Sequence, residues 1–355
     1  MSANNLVNPQ VSASGEAQSL AIEKFNGQVR EQYNAQENLM SFFDMEEVTG
    51  TNIVSNKYIG ETSVQGLAPG QSVQGEGVEF DKNALVIDAS IIARNIVGQL
   101  HDVQDDINTK ARLARNQIEQ MKKVEDRMLV HQLVKGGREN TEALRTTPRV
   151  KGHSFSHNIS MSTSQITDPW LVLCAIELAI ERKQEEEVPD TGIAVALPYR
   201  YFNALRDIER IVNSDYQTFA GDTKSGFVLK SFNVPIIPSN RFPKVGQDLA
   251  LNSTHHMLSN GQNGYRYDVK AEDESAICVI FGRDALIVGR SISLTGEIWR
   301  NQDNKSWYID TFMSEGCIPD RWEHLGVVTH KTTGDDAGAL TSRKARKASL
   351  TTTVS

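Results

Sequence analysis

The sequence predicts a mixed α+β protein whose parts reach away from one another, and three observations carry that prediction. A stretch from about His101 to Lys135 holds neither glycine nor proline and repeats its apolar residues at helical spacing. Ahead of it, residues 57–88 read as two strand-like runs around a long, glycine-rich and nearly uncharged tip. The first 48 residues are polar and acidic, with scattered apolar side chains.

Length and composition bound the rest. A chain of 355 residues is one large domain or two modest ones, with room for a sizeable core. Hydrophobic content of 39% and aromatic content of 7% are low for one compact globule, so part of the chain is expected to lie outside its own core. The net charge of −8 argues against a protein that coats DNA through phosphate contacts. It leaves open a container whose inner wall lets DNA slide past. Cys174, Cys278 and Cys317 are widely spaced and form no CxxC, which predicts small buried hydrophobes in a reducing compartment. No apolar run approaches the ~18 residues of a bilayer span. The N-terminus lacks the basic and apolar regions of a signal peptide, so a soluble protein made inside a cell is expected.

Residues 1–48 are expected to form an arm. Ala21 to Asn38 reads as a short helix through Ile22, Phe25, Val29 and Tyr33, a stripe too short for a core. Leu39, Met40, Phe42, Phe43 and Met45 follow, and that much apolar surface needs something to lie on. Residues 49–90 form the ribbon. Tyr58-Ile59-Gly60 leads into the tip that carries Leu67 and Pro69, and Val78 and Phe80 then alternate with Glu79 and Asp81. Beyond Asn83 the apolar phase moves to Leu85 and Ile87, which predicts a bulge. A two-stranded ribbon alone is marginal in water, so a neighbouring copy of the chain is a natural support.

Residues 91–165 are organised on the long helix. Val103, Ile107, Ala111, Ala114, Ile118, Met121 and Met128 step by three or four, or by seven once, making one narrow stripe. Asp102, Asp105 and Asp106 suit the positive end of the helix dipole, and Gly136-Gly137 reads as its stop. At ~1.5 Å per residue such a rod is roughly 50 Å long. The stripe breaks at Glu125 and keeps no heptad, which disfavours a coiled coil. Ser160 to Ile166 reads as loop.

Residues 166–290 read as α/β. Thr167-Asp168-Pro169-Trp170 opens a helix with a capping residue and a first-turn proline, and Glu185-Glu186-Glu187 ends it. Gly192 to Leu197 reads as a buried strand, and Pro198-Tyr199 starts a short helix through Tyr201, Phe202, Leu205 and Ile208. A strand pair follows at 227–229 and 234–238, and residues 240–275 read as a long polar surface excursion. Ala276 to Gly289 returns to strands. In 291–330, Ile292 to Trp299 pairs with Ser306 to Phe312 across a polar loop, and Gly316 to Val328 closes the ordered part. Residues 331–355, with Arg343, Lys344, Arg346 and Lys347, read as a flexible basic tail.

This order of arm, ribbon, spine helix, α/β domain and returning strands resembles the major capsid proteins of tailed bacteriophages, which share the Hong Kong 97-type fold. Tyr58-Ile59-Gly60-Glu61-Thr62 with Gly66-Leu67-Ala68-Pro69-Gly70 is similar to the extended-loop motif of short-tailed phages of the autographivirus (T-seven-like) kind. Leu85-Val86-Ile87-Asp88 resembles their return strand. Ala194 to Pro198 with Tyr201, Phe202 and Leu205 resembles a strand-to-helix step of their capsomer-centre domain. Gly316 to Arg321 leading to Leu325-Gly326-Val327-Val328 resembles their closing segment. The resemblance implies an axial domain at 166–290 and a peripheral domain at 91–165 and 291–330. It further implies a virion protein assembled in the host cytoplasm, a shell of hexamers and pentamers around double-stranded DNA bound without sequence preference, and a scaffolding protein and a portal as partners. No covalent Lys–Asn crosslink is carried over.

Catalytic patterns are missing from the sequence. There is no GxxxxGK loop, no GxGxxG after a strand and no G-x-S-x-G elbow. His153 and His157 lie four apart without a third ligand in view, and His255-His256 points two rings in different directions. Neither an enzyme nor a cofactor is expected. The residues expected at subunit contacts are Phe25, Tyr33, Phe42, Phe43, Tyr58, Ile59, Leu67, Pro69, Val78 and Phe80. Two other readings compete: an encapsulin-type cellular shell around an enzyme cargo, and an α/β hydrolase-like enzyme.

Overall fold

The computed structural model of the chain describes residues 39–72, 75–99, 109–188, 192–206, 229–231, 234–331 and 336–352. The strands are β1 (Met45–Glu47), β2 (Ile53–Ile59), β3 (Phe80–Val86), β4 (Ile91–Gly98), β5 (His157–Met161) and β6 (Ala194–Leu197). They continue as β7 (Leu229–Ser231), β8 (Val234–Pro238), β9 (Ala276–Phe281), β10 (Leu286–Asn301), β11 (Ser306–Pro319) and β12 (Leu325–His330). The helices are α1 (Thr109–Glu139), α2 (Thr163–Ile166), α3 (Pro169–Glu185), α4 (Tyr199–Arg206) and α5 (Ala337–Thr352). Among the described residues the strands form a four-stranded sheet β1-β10-β11-β4, a six-stranded sheet β5-β12-β9-β6-β8-β7 and the β2-β3 ribbon.

Helix α1 is the long helix, and its Ala, Arg, Gln, Glu, Lys and Met residues favour it as far as Lys135. Residues 101–108, with Asp102, Asp105 and Asp106, lie outside the described residues. Ala114, Ile118, Met121 and Met128 are buried as expected, but the stripe does not stay narrow. Leu129, Val130, Leu133 and Val134 are buried too, because this half of the helix packs with Val279 and Phe281 of β9, Val288 of β10 and Val327 of β12. A helix enclosed on several sides must satisfy its polar side chains inside the protein. Gln117 donates to Ile309 O at 3.0 Å and accepts from Thr311 Oγ1 at 2.6 Å. Lys135 donates to Arg266 O at 2.8 Å, and Arg138 to Asp273 at 2.9 Å. The buried Glu125 that interrupts the stripe meets Arg290 Nη2 at 3.3 Å, and the same guanidinium holds Glu315 at 2.8 Å.

Gly136-Gly137 does not stop the helix, which runs on to Glu139. A Cβ on Gly136 would lie 2.7 Å from both Leu325 Cδ1 and Pro319 Cβ, and one on Gly137 would lie 2.5 Å from Val327 Cγ2. The pair is there because β12 crosses the helix too closely for any side chain.

Helix α3 covers the six-stranded sheet with Ile176 and Ile180 against Val195, Ile280 and Val328. It begins as its sequence predicts: Asp168 accepts from Trp170 N at 3.0 Å with Pro169 in the first turn. Segment 160–166 is not a loop. Ile159 and Met161 are fully buried in β5, which pairs parallel to β12, and Ser162 with Gln165 makes the capping box of α2. The 227–229 strand is described from Leu229 onward and pairs antiparallel with β8. Residues 240–275 are irregular but not merely superficial, since Leu258, Tyr267 and Asp273 are buried anchors. Tyr265 and Tyr267 sit in turns, and the Tyr267 hydroxyl donates to Cys317 O at 3.3 Å.

The C-terminal end departs furthest from expectation. Regular structure does not end at β12, an interior strand between β5 and β9, because a helix follows it. Residues 337–352 form α5, which buries Leu340 completely. Two of its basic residues are fastened to α3 and its cap: Arg343 pairs with Glu177 and Glu181, and Lys344 with Asp168. Ion pairs along one face, with Leu340 as an apolar anchor, make a helix where sequence periodicity is faint.

Candidate assembly interface

The ribbon has two faces with opposite character. Its register runs unbroken from Ile53↔Val86 to Ile59↔Phe80, so the expected bulge is absent. Alternation then puts Val54, Asn56 and Tyr58 of β2 with Asn83 and Leu85 of β3 on the inner face. Phe80 goes to the outer face with Lys82, Ala84 and Val86.

The inner face is packed on the chain's own body. Val54, Leu85 and Ile87 form a cluster with Val48, Ile287 and Ile318. Gly289 and Gly316 let them approach, since a Cβ on Gly289 would stand 3.0 Å from Val54 Cγ2 and from Ile87 Cδ1. Beside this cluster one buried carboxylate gathers both strands. Asp320 accepts from Asn56 Nδ2 at 2.8 Å, from Asn83 Nδ2 at 2.9 Å and from the Tyr58 hydroxyl. Burial raises its pKa to about 6. The Arg149 guanidinium lies between the Tyr58 and Trp322 rings, 4.9 Å and 4.8 Å from their centroids. Further out, Glu61 N donates to Lys151 O at 2.8 Å, and Lys151 N to Glu79 at 3.1 Å.

The outer face is bare. Ile59 and Phe80, directly opposite each other, are 62% and 73% exposed. Lys57 and Lys82 are the next opposed pair and are also exposed. Leu67 and Pro69 are exposed at the tip, and Val78 is half-buried. Phe25 and Tyr33 lie outside the described residues. Phe42 and Phe43 pack against Phe281 in the chain's own core, edge-on at 6.0 Å and stacked at 5.3 Å. Tyr58 is likewise enclosed at the ribbon root. The structure therefore brings Ile59 and Phe80 together as surface, places Phe43 and Tyr58 inside, and leaves Phe42 half-buried against the core.

Sequence reading missed a second surface. The face of the four-stranded sheet opposite α1 carries Trp299 stacked on Tyr308 at 4.3 Å, with Arg94 over both rings. Arg94 holds Asp310 with contacts of 2.8 and 2.6 Å, and Trp299 Nε1 donates to the same carboxylate at 3.2 Å. The alternation of Ile292 to Trp299 against Ser306 to Phe312 was the available signal, but it does not tell which face is covered.

His153 pairs with Glu323 and His157 with Glu186, both at 3.1 Å, so the two rings do not converge on a shared ion. Among the described residues no three His, Cys, Asp or Glu side chains are grouped to hold a metal, and no helix is long and apolar enough to cross a membrane.

No family model matches the sequence, and no curated protein does. The fold does have relatives among solved structures. The mature capsid of bacteriophage PhiM1 aligns at TM-score 0.65 and 17% identity, covering 84% of this chain and 88% of that one. The capsid of cyanophage P-SCSP1u aligns at 0.68 and 13%, covering 84% and 89%. Mycobacterium phage Che8 aligns at 0.54 and 17%, covering 78% and 84%. The fold is the Hong Kong 97-type capsid fold.

Proposed function

We propose that this chain is the major capsid protein of a tailed, short-tailed-type bacteriophage. Copies assemble into hexamers and pentamers and close into an icosahedral head around double-stranded DNA. One observation carries the reading beyond fold likeness: a rigidly rooted ribbon presents a bare outer face, with Phe80 73% exposed opposite an equally bare Ile59. A closed shell of identical copies supplies each such face with a partner. In this reading the six-stranded sheet with α3 and α4 sits toward the capsomer axis, and the four-stranded sheet with α1 lies at the periphery. The part of the arm ahead of Leu39 straps along neighbouring copies, since Leu39 to Val48 is spent on the chain's own core and sheet. An acidic inner wall repels the genome and keeps it mobile during filling. A scaffolding protein and a portal act during assembly in the host cytoplasm, and the chain has a structural role rather than a catalytic one.

Deleting residues 61–79 removes the tip and leaves the Asp320-anchored root. The expected product is a folded, soluble protein that sediments as small oligomers, while the intact chain forms megadalton particles visible by negative-stain microscopy. Normal closed shells from the deletion variant defeat the role given to the ribbon.

A further inference from the structure

We propose that the C-terminal end of α3 is a proton-operated latch. Closed, it holds the Lys183 side chain inside as the uncharged amine; on gaining a proton, that side chain leaves for water and residues 186–188 lift away. The latch belongs to the single chain and does not depend on the assembly reading.

Lys183 stands in the last turn of α3 and is fully buried, and its Nζ has no hydrogen-bond partner among the described residues. An ammonium there loses its hydration and gains no contact in exchange, whereas an amine on an apolar stem is tolerated. Room for the stem comes from Gly326 of β12, where a Cβ would stand 3.3 Å from Lys183 Cε and 3.5 Å from Ile280 Cβ. His324, packed against Gly282, brings a second buried nitrogen without a hydrogen-bond partner, its Nδ1. Burial and the nearby Lys183 hold His324 below the usual histidine pKa. Burial likewise pushes Lys183 down to about 7. Two bases share one dry corner, and neither gains by charging.

The charged groups around the corner are engaged elsewhere. Glu186 pairs with His157 of β5, and Glu323 pairs with His153, both at 3.1 Å. Those two carboxylates attract Lys183 through space, but too weakly to offset its burial. Arg321 and Asp284 act on His324 with opposite sign. The segment that must move is short and weakly closed. Residues 186–188 end α3 in a Schellman motif, with Val188 N donating to Lys183 O at 3.1 Å and Glu187 N to Gln184 O at 3.0 Å. The left-handed position of that motif, usually glycine, is Glu187 at φ 60°, a conformation that costs a residue with a Cβ. Lifting the motif relieves this strain. Once outside, an ammonium in the last turn of a helix sits where the dipole favours it.

The test is amide hydrogen exchange in the full, unassembled chain from pH 7 to pH 9, a range above the titration of His324. The closed and open states differ by one proton there, so the opening constant falls about tenfold per pH unit as pH rises from about 7 toward the ordinary lysine value. Protection of the Glu187 and Val188 amides is expected to rise with that slope, through an opening at least about tenfold more frequent than the one that exposes the amides of β9. Lys183→Met removes the titrating group. Its protection of the same two amides at pH 7 is expected to be at least about tenfold higher than in the unaltered chain, and flat over the range. Protection without pH dependence in the unaltered chain, an unchanged slope in Lys183→Met, or exchange of both amides together with β9 overturns the latch. A Lys183→Met chain that fails to fold overturns it as well, because the amine is then needed inside.

Discussion

The far half of α1 and the outer face of the ribbon are opposites written in similar-looking sequence. The helix carries Glu125, Asp126, His131 and Gln132 into the interior and finds a partner for each within the chain. The ribbon carries Ile59 and Phe80 outward and opposes two lysines, with nothing in the described chain to answer either. The difference separates what the subunit settles alone from what it leaves for another molecule. Damage to the helix is therefore expected to appear in the isolated chain, and damage to the outer face only in assembly.

The largest effect is expected at Arg290. Arg290→Met leaves Glu125 and Glu315 buried without their shared cation, and should cost about 3–5 kcal/mol in denaturant unfolding of the unassembled chain. A loss below about 1 kcal/mol would show that the guanidinium is not what makes those carboxylates tolerable. Gly137→Ala comes next. Alanine ordinarily favours a helix by about 1 kcal/mol over glycine, but here its methyl meets Val327 at 2.5 Å. Net destabilisation of about 1–3 kcal/mol is expected, and Val327→Ala should recover most of it. Stabilisation by G137A alone would mean that the close crossing relaxes freely.

Asp320 tests the ribbon root through pH. Its carboxyl, raised to about 6 by burial, holds a proton in the folded chain over a range where the unfolded carboxyl, near ~3.9, has lost it. A group that binds protons more tightly when folded makes stability fall as pH rises through that window. Asp320→Asn cannot ionise, so its stability relative to the unaltered chain should increase from pH 4 to pH 6 and level off above. A difference that stays flat across the window rules out Asp320 as the titrating group. The smallest effect is reserved for the outer face. Phe80→Ser should shift the unfolding free energy of the unassembled chain by no more than about 0.5 kcal/mol, although it removes a large aromatic ring.

Much of this architecture was legible because local chemistry and tertiary structure agree. The absence of glycine and proline before Lys135 marks α1, and Asp168 with Pro169 marks the start of α3, since caps and first-turn prolines are local devices. What escaped was set by distant neighbours. Gly136-Gly137 has the sequence of a stop, and only the passage of Val327 and Leu325 reveals a close crossing. The basic run from Arg343 looks like a loose tail until Glu177, Glu181 and Asp168 lie beside it. At the ribbon, the assumption that every apolar residue faces inward produced a false bulge. Phe80 shares parity with Lys82, and reading the lysine as the guide would have turned the phenylalanine outward. Glu125 interrupts a hydrophobic stripe for a reason that lies 165 positions away, in Arg290.

On the proposed assembly reading, the three cysteines carry a consequence for a particle that leaves the cell that made it. Cys174, Cys278 and Cys317 are buried and form no disulfide, and burial pushes the thiols of Cys278 and Cys317 well away from ionisation. Since disulfide exchange proceeds through the thiolate, sulfurs held in this way are slow to react. The folded subunit can pass from a reducing interior to an oxidising exterior with its covalent structure unchanged.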